Sequence, residues 1–173
     1  MTLAARCEAP RAGMAEPGAP DGWRLPTAIV GGVLALDQAT KAWAVHELTD
    51  GPVSIIGDDV ELRLTYNSGG AFSLFRGFTP LLAILAIAIA VVLVRHVRRT
   101  QDPWTLVALS LVLAGALGNL ADRAFRPPSF LSGRVVDFVS IGSFPTFNVA
   151  DSAITVGAVL LVILAFVPHS EEA

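Results

Sequence analysis

Four apolar runs, each near the ~20 residues that a bilayer crossing requires of a helix, constrain this chain more than any other feature. They extend from about Pro26 to Leu48, Phe78 to Val94, Pro103 to Ala121 and Phe147 to Val167. The second is short unless residues 77–80 lie in the interface. Pro26 stands where a helix's first turn tolerates proline, and Pro168 ends the last run. Of the 173 residues, 53% are hydrophobic and only 16% charged, too apolar a balance for an ordinary soluble domain. The predicted fold is an all-α membrane protein in which residues 25–168 form one domain of four transmembrane helices. Residues 1–24 carry Ala, Pro, Gly and charge without an apolar period and read as a disordered tail. They lack the apolar core of a cleavable signal peptide. Residues 169–173 read as a second, short tail.

The polar residues exclude several function classes. A net charge of −3 and the lack of a basic stripe interleaved with aromatics argue against nucleic acid as a partner. Cys7 is the lone cysteine, which excludes an internal disulfide and a Cys-rich metal site. His46, His96 and His169 form no His-Glu-x-x-His pattern, so zinc peptidase chemistry is not expected, and no cofactor is implied. Arg95, Arg98 and Arg99 fall in a tight connection between the second and third runs. The positive-inside rule places that connection, and with four crossings both termini, in the cytoplasm.

That orientation gathers the unusual polar residues on the opposite, outer side. Asp37 lies in the outer half of the first helix and Asn67 in the first outer loop. Asn119 and Asp122 end the third helix, Asp137 lies in the second outer loop, and Asp151 opens the fourth helix. Val60 to Tyr66 alternates apolar and polar residues, as a half-buried strand does. Asn67-Ser68-Gly69-Gly70 reads as a turn, and Ala71 to Phe75 returns to apolar character. A small extracytoplasmic β-sheet cradle is expected there, able to hold an extended peptide. Phe125 to Leu131, with Pro127-Pro128 and aromatics, reads as an interfacial loop acting as a flap.

Asp137 and Asp151 are the candidate catalytic residues. An ionised carboxylate in an apolar setting is expensive and marks a functional site by default. Each could instead stop a span or cap the fourth helix, where Asn148 looks like an N-cap. Two carboxyls that meet around one water retain a shared proton at neutral pH, and so supply base and acid for peptide hydrolysis without His, Ser or metal.

Two further groups stand nearby. Asn119 and Asp122 are three apart, on one helix face, with Arg123 following. They are expected either to anchor the interface through an Asp/Arg pair or to bind substrate carbonyls through Arg123 and Asn119 while Asp122 holds Arg123. Asp37 and Lys41, four apart, neutralise each other within one helix. Lys41 is the sole lysine, and a desolvated lysine acting as base to a serine such as Ser68 would make a serine/lysine peptidase. Asp37 beside it, and the lack of Gly-x-Ser-x-Gly or Ser-x-x-Lys, argue against that.

At these residues the chain resembles the lipoprotein signal peptidases, the bacterial type II signal peptidases. The likeness runs from Ala28 to Val167. It rests on Asp37-Gln38-x-Thr40-Lys41, Asn67-x-Gly69-x-Ala71-Phe72, Gly118-Asn119-Leu120-x-Asp122-Arg123, Val135-Val136-Asp137-Phe138 and Phe147-Asn148-x-Ala150-Asp151-Ser152. Gly70 stands where the family usually has Ala. The resemblance implies a multi-pass protein of the bacterial cytoplasmic membrane with its active site near the outer face. It implies an aspartic endopeptidase that cleaves prolipoproteins before a diacylglyceryl-modified cysteine. Asp137 and Asp151 match its catalytic pair, and Asn67, Asn119, Arg123 and Asn148 its substrate pocket, with Asp37, Lys41, Asp122 and Gly69 in supporting places. Diacylglyceryl-modified prolipoproteins and membrane lipids are the expected partners of a monomer. A proton-coupled transporter would also use intramembrane acids, but would place them mid-membrane in repeated, broken helices.

Overall fold

Helix α1 (Arg24–Glu47) is the longest of the four helices among the described residues, which in this computed structural model are 20–57, 59–68 and 79–166. A 3₁₀ turn over Pro20–Trp23 leads into it, so the tail expected over residues 1–24 gives way to structure slightly earlier. Trp23 is held there by the Arg98 guanidinium, 5.7 Å from its ring centre. The rest of that tail, residues 169–173 and Gly69 lie outside the described residues.

Helices α2 (Thr79–Val97), α3 (Pro103–Phe125) and α4 (Val149–Phe166) follow. Asp102 caps α3 by accepting from Thr105 N at 2.7 Å, with Pro103 in the first turn. The helix runs one turn beyond the expected Ala121 and so carries Asp122 and Arg123 on a regular scaffold. α2, α3 and α4 are long and apolar enough to cross a membrane. α1 is long enough but less apolar, with Asp37, Gln38, Thr40 and Lys41 in mid-helix.

The packing suits a lipid solvent. α2 buries Ala83, Ala90 and Val97, a seven-residue stripe, and turns Leu81, Ile84, Leu85 and Val92 outward. α4 buries Ala150, Ala153 and Gly157 and exposes Val156, Val159, Val162 and Ile163. Small residues inside and large apolar ones outside are what helices packed in a membrane show. At Gly115 an added Cβ would collide with the Ala150 carbonyl, and at Gly157 it would stand 2.7 Å from the Ala108 carbonyl. The α3–α4 contact therefore depends on these glycines.

Three antiparallel strands make a sheet in the order β1 (Val53–Ile56), β2 (Val60–Asn67), β3 (Val135–Ile141). β2 occupies the alternating segment read from the sequence. The expected return over residues 71–75 lies outside the described residues. The neighbours of β2 are instead β1 and the segment around Asp137, which is a strand and not a loop. Val135, Val136, Phe138 and Val139 are β-branched or aromatic and favour that state. The sheet sits on the end of α1 through Ala44, Leu48 and Phe138, with Leu62, Leu64, Val139 and Val149 packed around them.

Candidate active site

The site grows from the first turn of α4. Asn148 Oδ1 accepts from Asp151 N at 2.9 Å, and Asp151 Oδ2 accepts from Asn148 N at 3.3 Å. This reciprocal arrangement satisfies two N-terminal donors of the helix, in the manner of a capping box. The expected N-cap is present, but it has a second task. Asn148 Nδ2 donates to Asp137 Oδ1 at 2.7 Å, so one fully buried asparagine touches both acids.

Asp137 reaches this point because of the strand register. Asn67 lies opposite Val135 on the neighbouring strand, making Asn67 and Asp137 diagonal neighbours on one face. Asn67 Nδ2 donates to Asp137 Oδ2 at 3.1 Å. Between Leu62 and Thr65 the register slips: two residues of β2 face the single Phe138 of β3. Such a bulge re-aims side chains beside a site. Asp137 is 2% exposed, and burial, reinforced by the charge of Asp151, pushes its carboxyl up to about 7, against the opposing pull of the Asn67 and Asn148 amides and of Lys41.

Asn119 links Asp151 to α3. Its Nδ2 donates to Asp151 Oδ1 at 2.8 Å, while its Oδ1 accepts from Asn148 Nδ2 at 3.2 Å. Asp151 lines a cavity of about 620 Å³ together with Asn67, Asn119, Arg123, Phe144 and Phe147. Asp137 stands behind that wall. Arg123 donates from Nη1 to the Asn119 carbonyl at 3.1 Å, and its buried Nε has no hydrogen-bond partner among the described residues. One acid is open to a ligand and the other is screened, with a shared amide between them. That arrangement suits base and acid roles in hydrolysis.

Lys41 is the hub of a second, buried cluster. Its Nζ lies 2.9 Å from Asp37 Oδ2 and 2.9 Å from Asp122 Oδ2, and it donates to Asn119 Oδ1 at 3.1 Å. The expected Asp37–Lys41 pair is therefore there, but Asp122 belongs to it as well. With all three donors engaged, Lys41 is not presented to a serine, which counts against the serine/lysine reading. The expectation that Asp122 holds Arg123 needs correction. Adjacent helical residues diverge by ~100° around the axis, and Asp122 turns instead to Lys41 and to Arg126 Nε at 2.7 Å. Arg126, one turn on from Asp122, carries its only sequence signal in that i, i+4 spacing. The Phe144–Phe147 wall of the cavity carried no sequence signal beyond its aromatics. Among the described residues no group of three or more His, Cys, Asp or Glu side chains is placed to hold a metal ion.

The chain as a whole is similar to known proteins. Residues 29–167 match the family model described as signal peptidase (SPase) II. The chain is 51% identical over 140 residues to a lipoprotein signal peptidase of Rhodococcus jostii, covering 80% of this chain and 71% of that protein. It is 48% identical over 143 residues to a lipoprotein signal peptidase of Mycobacterium avium, covering 82% and 79%. The solved structure of a bacterial membrane enzyme superposes with a TM-score of 0.74 at 30% identity, over 86% of this chain and 91% of that one.

Proposed function

Because this chain belongs to the signal peptidase II family, we propose that Asp137 and Asp151 are the catalytic pair with which it cleaves its substrates. It is a peptidase that removes signal peptides from prolipoproteins. Asn148 carries the assignment of the pair: through it the acid on β3 and the acid in α4 share one amide.

The two carboxyls divide the work by environment. Asp137, screened and half-protonated near neutral pH, holds the proton, and Asp151, on the cavity wall, is the base. Asp151 takes a proton from water as the water oxygen adds to the scissile carbonyl carbon, and Asp137 gives its proton to the carbonyl oxygen. On collapse of the gem-diol, the C–N bond breaks, Asp151 passes its proton to the leaving nitrogen, and one returns to Asp137. Asn67, Asn119 and Asn148 hold the carboxylates, and Arg123, on the cavity wall, binds a substrate carbonyl.

The scissile bond lies before a diacylglyceryl-modified cysteine whose acyl chains stay among the helices. All four helices cross the bacterial cytoplasmic membrane, α1 included. Its charges Asp37 and Lys41 neutralise each other inside the bundle and so do not meet lipid. The connection holding Arg95, Arg98 and Arg99 faces the cytoplasm with both termini, and the sheet and site lie at the outer face. The enzyme acts as a monomer. Solubilised protein tests the reading on a lipidated precursor and its unlipidated counterpart. Asp137→Asn and Asp151→Asn should each abolish cleavage while membrane insertion is unchanged. Normal cleavage by either variant removes that residue from the mechanism.

A further inference from the structure

The two aspartates assigned to catalysis are each preceded by a residue whose backbone N–H is held by a buried carboxylate. Val136 N donates to Asp122 Oδ2 at 3.1 Å, and Ala150 N donates to Asp37 Oδ1 at 2.9 Å. Lys41 Nζ joins those same two carboxylates at 2.9 Å each. A single ammonium thus ties the residue before Asp137, on β3, to the residue before Asp151, on α4, through carboxylates carried by α3 and α1. The third donor of Lys41 fixes the Asn119 carbonyl oxygen, which aims the Asn119 amide at Asp151. Asp37, Lys41 and Asp122 are all fully or almost fully buried.

We infer that Asp37, Lys41 and Asp122 are positioning residues that set the separation of Asp137 and Asp151. Generic stabilisation of the bundle would need only one ion pair within α1. It would not need two carboxylates turned toward the backbone immediately before each acid. The cost of burying three charges is offset by mutual contact, by the Arg126 pair with Asp122 at 2.7 Å and by the two backbone donors. The charged groups around Lys41 are Asp37 on α1, Asp122 on α3, Arg126 just past the end of α3, Asp151 on α4 and Asp137 on β3. Gly118 completes the device: an added Cβ there would stand 2.7 Å from Asp37 Oδ2, so only glycine lets α3 approach the clamp.

The inference rests on the catalytic assignment of the dyad, and the test separates the two. Full-length protein in detergent is titrated with a non-hydrolysable lipidated peptide to count binding-competent sites, and kcat per site and KM are measured on the lipidated precursor. Lys41→Met is expected to lower kcat per site by about 100-fold, the scale of an ångström-level misplacement, with KM changed by less than about threefold. Loss of folded protein alone would lower the number of sites and leave kcat per site unchanged. Lys41→Met also strands two buried carboxylates, so Asp37→Asn and Asp37→Leu form a second pair. Both remove the charge, but only asparagine keeps an oxygen for Ala150 N–H, and its kcat per site should exceed that of the leucine variant by about tenfold, the worth of a hydrogen bond. If Lys41→Met does not accumulate, the Asp37 pair decides alone. Lys41→Met within about threefold of wild type, or equal kcat per site in the Asp37 pair, overturns the clamp. Asp137→Asn and Asp151→Asn run in parallel: cleavage by either sinks the dyad, whereas inactivity of both beside a normal Lys41→Met sinks the clamp alone.

Discussion

Asn148 donates its side-chain amide to Asp137 across 2.7 Å, so the residue that starts helix α4 also fixes the acid on strand β3. Helix capping and acid placement are separable at this position. Asn148→Ala should lose about 1–2 kcal/mol of stability with the cap and about 100-fold in kcat with the misplaced acids. Asn148→Ser keeps a capping acceptor for Asp151 N, but its shorter side chain does not reach Asp137. Its thermal midpoint should stay nearer wild type than that of Asn148→Ala, while its kcat stays low.

Asp137 gives stability a pH dependence of definite sign. Its carboxyl is raised from 3.8 to about 7 by burial and by the Asp151 charge. Between those values the folded protein holds a proton that the unfolded chain has released, so stability falls as pH rises through that window. The contribution is complete below 3.8 and gone above about 7; the interval corresponds to roughly 4 kcal/mol at most. Asp137→Asn removes the ionisation. Its unfolding midpoint in detergent should exceed wild type at about pH 8 and converge with it near about pH 4. Equal midpoints at both pH values would contradict this account.

On the proposed mechanism the same proton sets the rate profile. Cleavage should fall on the alkaline side above about pH 7 as Asp137 loses its proton, and fall again in acid as the pair takes up a second one. A rate that stays level from mild acid to strong alkali would exclude a shared-proton mechanism.

Arg123 offers a test of substrate contact. It lines the cavity, so Arg123→Gln should raise KM for the lipidated precursor by about tenfold, a loss typical of one charged hydrogen bond. An unchanged KM would remove it from the binding surface.

Gly118 sits where α3 meets both Asp37 and Ala150. Gly118→Ala should cost about 1–3 kcal/mol through overpacking, read as a lowered unfolding midpoint, and should lower kcat because the intruding methyl meets Asp37.

Local patterns made much of this legible. Asn148 and Asp151 declare a helix start by their spacing, and Asp37 with Lys41 declares a one-turn pair. Cross-helix partners declare nothing: Lys41 and Asp122 meet only because α1 crosses α3 at Gly118. The strand at Val135–Ile141 was hidden because an aspartate interrupts its apolar run, and its partner strand lies some 70 residues earlier. Arg123 reads naturally as the mate of Asp122 in sequence, yet helical geometry sends them apart. Apolar length alone marks α2, α3 and α4 as candidate spans, whereas reading α1 as a fourth depends on where its charges point.

The cavity wall exposes Asp151 and withholds Asp137. A carboxyl-seeking reagent small enough to enter should therefore mark the helix acid well before the strand acid, and protection by bound peptide should follow the same order. An inhibitor that hopes to grip both must bring a polar hook able to displace the amide curtain of Asn67 and Asn148, not merely a greasy body that fills the vestibule.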